Sequence, residues 1–95
     1  VPCNTATNSG GAGVTRTTHN LGATGGTFTF TYNAFQIPDQ FEIFYEGAQI
    51  FTTGSPVSGS NTVQVTYGPG TSTTIEVVVT GPEGTRWNYT VFCPT

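Results

Sequence analysis

The chain has 95 residues, a net charge of −3 and only 7% charged side chains, which makes one domain, long enough to bury roughly two-thirds of the surface its unfolded form exposes. Arg16 and Arg86 are its only strong cations and it has no Lys, so a phosphate-neutralising face, Schiff-base chemistry and Lys–Asn crosslinking are excluded, and nucleic acid with them. No apolar run approaches a membrane span and no basic amphipathic helix is visible, so no membrane insertion is expected.

Residues 1–25, VPCNTATNSGGAGVTRTTHNLGATG, are small and polar. They are expected to hold one strand, near residues 14–19, within an extended N-terminal segment that precedes the main sheet. From Gly26 the alternation becomes strong: Phe28, Phe30 and Tyr32 share one face and Thr27, Thr29 and Thr31 the other, which describes a half-buried strand. Residues 33–38 break it, because Pro38 lacks an amide donor and restricts Ile37. The next strand, residues 39–45, places Phe41, Ile43 and Tyr45 inward. Glu46-Gly47 is a two-residue hairpin turn, and residues 48–53 return with Ile50 opposite Ile43. A loop over residues 53–60 leads to Val63, Val65 and Tyr67. After a Gly-Pro turn come Ile75, Val77 and Val79, and after a second come Trp87, Tyr89, Val91 and Cys93 on one face.

Seven or eight short strands with turn residues about every ten positions predict an all-β chain. The expected fold is an antiparallel β-sandwich, Ig-like or jelly-roll-like, ahead of an open barrel. Seven Phe, four Tyr and one Trp supply its core. Cys3 and Cys93 sit near the two ends and read as a disulfide, worth about 4–5 kcal/mol in the chain-entropy model. That pairing points to an oxidising compartment. A start at Val1 rather than Met reads as a processed protein or an excised module.

Catalytic groups are sparse. The chain has one His and one Asp, and His19, in a polar Thr-rich stretch, reads as a surface histidine rather than a triad member. Glu42 and Glu46 read as exposed pattern residues rather than a glycosidase pair. No catalytic residue is assigned and no enzyme is expected. Asp39, beside a Pro turn, is the one candidate metal anchor, for calcium, with Asn33, Asn61 and Glu83 as conceivable neighbours. No other cofactor is implied.

Strict alternation sends Phe44 and Phe51 outward on one hairpin, and Phe92 outward from the Trp87 face. Together they form a candidate interaction surface. A second candidate is a sugar-stacking platform made of Tyr32, Tyr45, Tyr67 and Trp87, joined by Phe44.

The runs IPDQFEIFYEG, IFTTG, PVSGS, VTYGPG and GTRWNYTVFCP resemble a small β-module that recurs in large secreted and surface proteins of bacteria, over residues 26–94. The resemblance implies an extracellular or cell-surface module, often one of several in a chain, linked with adhesion, calcium or polysaccharide. It carries over no catalytic residue. Thr52 and Thr53 stand where a calcium-dependent relative would place Asp. The combined expectation is a non-enzymatic structural or adhesive module, a tandem repeat or filament-type subunit, whose partners are copies or neighbouring modules. In such an assembly residues 1–25 would complete a neighbour's sheet by strand addition. Carbohydrate binding is the alternative.

Overall fold

The computed structural model describes residues 1–8 and 12–94. Eight strands run in chain order: β1 (Thr5–Asn8), β2 (Gly13–Asn20), β3 (Gly26–Asn33), β4 (Gln40–Tyr45), β5 (Ala48–Thr52), β6 (Ser60–Tyr67), β7 (Thr74–Gly81) and β8 (Asn88–Val91). They form two antiparallel four-stranded sheets, ordered β1-β8-β3-β6 and β2-β7-β4-β5. The inward faces of the two sheets pack into one core, so the fold is the β-sandwich that the alternation predicts.

Each apolar face read from the sequence lies where its period of two requires. Phe28, Phe30 and Tyr32 of β3, with Val65, Tyr67, Tyr89 and Val91 beside them, meet Phe41, Ile43, Tyr45, Ile75, Val77 and Val79 of the other sheet. Phe30 is central, with ring centroids 5.5 Å from Tyr89, 5.8 Å from Phe51 and 6.3 Å from Phe41. Trp87 stacks on Tyr89 at 5.8 Å. Burying side chains of this size contributes about 1.5–3 kcal/mol each.

Two expectations fail on local geometry. The β4–β5 pairing contains a bulge: Ile43 faces Phe51 and Phe44 faces Gln49, which leaves Ile50 as the extra residue. Phe51 is thereby turned inward, half-buried against the core, and Ile50 does not sit opposite Ile43. The turn itself is as predicted, with Glu46 and Gly47 both at positive φ (51° and 79°), the signature of a type I′ hairpin. The second failure concerns the N-terminal residues. They supply two strands, not one, and both pair within the chain, β1 on β8 and β2 on β7. β1 was not legible because TATN has no large apolar side chain to mark a face.

The antiparallel directions gather the turns at two ends. One end holds both termini, the Cys3–Cys93 disulfide, the loops at 21–25 and 68–73, and the β4–β5 turn. The other holds the loops at 34–39, 53–59 and 82–87.

Candidate functional site

The disulfide joins Cys3 to Cys93 with Cα atoms 5.0 Å apart. Around it the end is tied by buried hydroxyls. Tyr45 Oη donates to the carbonyls of Ser72 (2.7 Å) and Thr24 (3.1 Å), and Tyr67 Oη to that of Ala23 (2.8 Å). Glu46 Oε2 accepts from the Thr71 and Ser72 amides, each at 2.8 Å, and from the Thr71 hydroxyl. Those amide and hydroxyl donors hold the Glu46 carboxyl below its ordinary value.

His19 is not on the surface. It shares the inward face of β2 and is fully buried, with Nε2 2.8 Å from Tyr89 Oη. Burial pushes the imidazole below its ordinary value and the Tyr89 phenol above its own. The expectation failed because Thr15 and Thr17, which share that inward face, do not look like core residues in a sequence. Asp39 lies at the other end. His19 sits opposite Ile75 on β7, whereas Asp39 abuts Gly81, a separation of roughly 20 Å along the strand. They do not meet.

The Asp39 carboxyl points inward, fully buried, with Oδ1 accepting from the Thr85 hydroxyl and Oδ2 accepting from no described residue. Burial pushes it above its ordinary value. A Cβ on Gly81 would overlap Oδ1, so the close approach requires glycine there. Asn33 Oδ1 accepts from the Phe35 amide and Asn61 Oδ1 from the Thr62 amide, so these expected calcium neighbours are engaged elsewhere, and Glu83 is exposed. Among the described residues no group of three or more His, Cys, Asp or Glu is gathered.

The aromatic expectations need two corrections. Tyr32, Tyr45, Tyr67 and Trp87 are all buried and offer no ring face to a sugar, because each falls on the inward set of its strand or of the residue leading into it. The trio Phe44, Phe51 and Phe92 does not form one surface. Phe51 is in the core, Phe44 is half-buried on the outer face of the β2-β7-β4-β5 sheet, and Phe92 lies on the outer face of the other sheet, 40% exposed.

The loop end carries an apolar surface that sequence reasoning missed. Asn33 Oδ1 takes the Phe35 amide at 2.8 Å in an Asx turn, and the Phe35 carbonyl takes the Gly59 amide at 2.8 Å. These bonds hold Phe35 at φ 57°, a conformation that bulky residues avoid, and leave its side chain 45% exposed beside Ile37 at 37%. Two shallow clefts meet at Phe35 and Arg86. One, of about 350 Å³, adds Gln36, Ile37 and Gly84, and the other, of about 370 Å³, adds Asn8, Trp87 and Asn88. Loops have no hydrophobic period. The one available signal was the apolar pair Phe35 and Ile37 within a Pro-containing break.

No protein-family model matches the chain, and no curated protein does. Among the described residues no helix is long and apolar enough to cross a membrane.

Proposed function

We propose that this chain is a non-enzymatic module of the extracellular space or cell surface that attaches to copies of itself or to neighbouring modules through its loop end. One observation carries the reading: Phe35 and Ile37 are held outward at the end opposite both termini and the disulfide. A fixed, exposed apolar pair at the far tip is an interaction surface by the usual rule for such patches. The disulfide supports an oxidising location. The non-enzymatic reading is supported by the placement of His19 and Asp39, each buried on a single hydroxyl partner at opposite ends of the molecule.

Sedimentation velocity across a hundredfold concentration range tests this. The chain is expected to associate as concentration rises, and Phe35→Ser with Ile37→Ser to remain monomeric at equal thermal stability. A chain that stays monomeric throughout, or a double variant that still associates, would overturn the proposal.

A further inference from the structure

The outer face of the β1-β8-β3-β6 sheet differs from every other surface of the molecule. Its cross-strand rows read Asn8, Asn88, Asn33, Ser60, then Ala6, Thr90, Thr31, Thr62, then Phe92 beside Thr29 and Gln64, then Thr27 and Thr66. Not one of these side chains is charged. Hydroxyls and amides are linked across the strands, Thr27 to Thr66 at 3.0 Å, Thr31 to Thr62 at 3.3 Å, and Gln64 Nε2 to Thr29 Oγ1 at 2.8 Å. Each threonine hydroxyl has one donor and two acceptor positions, so a single cross-strand bond leaves it capacity for a ligand. The links fix its orientation beforehand. Within this array Phe92 is the one large exposed apolar side chain.

Threonine favours strands and pairs well across them, but that does not require an uncharged face. The opposite sheet is the internal control: its outer face carries the Arg16–Glu76 ion pair at 3.1 Å and a Glu42–Gln49 hydrogen bond at 2.6 Å. The geometry points to a binding face for a neutral polysaccharide, with a sugar ring on Phe92 and the flanking hydroxyls met by Thr29, Thr31, Thr90 and Gln64. Charge decides against polyanions, because the face holds no cation to meet them. Twist decides against a rigid crystal surface. Four strands rotated by roughly 20–25° from each neighbour present a face that a flexible chain can follow and a flat lattice cannot. The array measures roughly 14 Å across the strands and a similar length along β3, enough for a short run of sugar units. This proposal rests on a different face from the loop end and does not depend on self-association.

Affinity electrophoresis of the whole chain in native gels containing soluble galactomannan, xyloglucan or β-glucan tests it, with alginate as the anionic arm. Retardation is expected in at least one neutral gel. Phe92→Ala should weaken it at least tenfold, Thr31→Asp comparably, and Phe44→Ala, on the other sheet, less than twofold. Phe92 is exposed, so its removal is not expected to unfold the chain, and a melting curve on each variant checks this. No retardation in any neutral gel, retardation by alginate alone, or a Phe92→Ala variant that binds as the unchanged chain does would overturn the assignment. Inhibition of ice recrystallisation by a chain that ignores all three neutral polymers would also overturn it.

Discussion

The two ends of the sandwich are closed by different means. At the disulfide end, covalent closure, three tyrosine hydroxyl bonds and the Glu46 carboxylate tie four separate segments together with polar groups that all find partners. At the loop end, closure depends on Asp39 and Thr85 inside and on backbone bonds between residues 34–35 and 59, while apolar side chains are left facing solvent. The contrast separates maintenance of the fold from contact with partners. Satisfied polar groups and a crosslink stabilise without offering a surface, whereas a strained, exposed phenylalanine offers a surface at some cost to stability.

The largest expected effect lies at the first end. Replacing Cys3 and Cys93 by Ser should lower unfolding free energy by about 2–5 kcal/mol in denaturant titration. A loss no greater than that from single changes at the loop end would break the contrast. Next is Thr85→Val, which strips the buried Asp39 carboxyl of its only described hydrogen bond and should cost about 1–3 kcal/mol by the same titration. Tyr45→Phe leaves two loop carbonyls without their donor and should cost about 1 kcal/mol, seen also as faster amide exchange in residues 68–73. Phe35→Asn should have the smallest effect and the opposite sign. Asn accepts positive φ more readily, so the melting temperature should hold or rise, corresponding to a gain of up to about 1 kcal/mol, while concentration-dependent association disappears.

Acid titration sharpens the comparison further, because the two ends respond with opposite signs. The folded Glu46 carboxyl is held below its ordinary value of 4.5 by its amide donors. Its stabilisation is therefore present above 4.5 and lost as pH falls through the lowered folded value. Burial holds Asp39 above its ordinary value of 3.8, so stability is lost as pH rises from 3.8 through the raised folded value. Denaturant midpoints measured from pH 3 to 7 should show Glu46→Gln flattening the acid-side loss and Asp39→Asn flattening the loss on the way up. His19, lowered by burial, adds a further decline as pH falls below 6.5, which His19→Gln should remove.

What was legible follows from how side chains mark a strand. Wherever large apolar residues alternate, as at Phe28, Phe30 and Tyr32 or at Ile75, Val77 and Val79, the sequence named the correct inward face. Where the inward face is built from Thr and His, as on β2, or the strand has no bulky residue, as on β1, the signal disappears although the pairing is just as regular. Phe51 shows a third case. The pattern around it was read correctly, but one bulged residue exchanged the two faces, since register has a period of two and a single insertion inverts it.

Composition and spacing alone were enough to determine an all-β sandwich, most of its core and the pairing of Cys3 with Cys93, because local alternation and turn chemistry are properties of neighbouring residues. Tertiary structure alone decided which side chains meet across strands: the Tyr89–His19 contact, the burial of Asp39 on Thr85, the outward Phe35, and the uncharged threonine face around Phe92. Those features join residues up to 70 positions apart, and such distances are bridged only by the order in which strands pair.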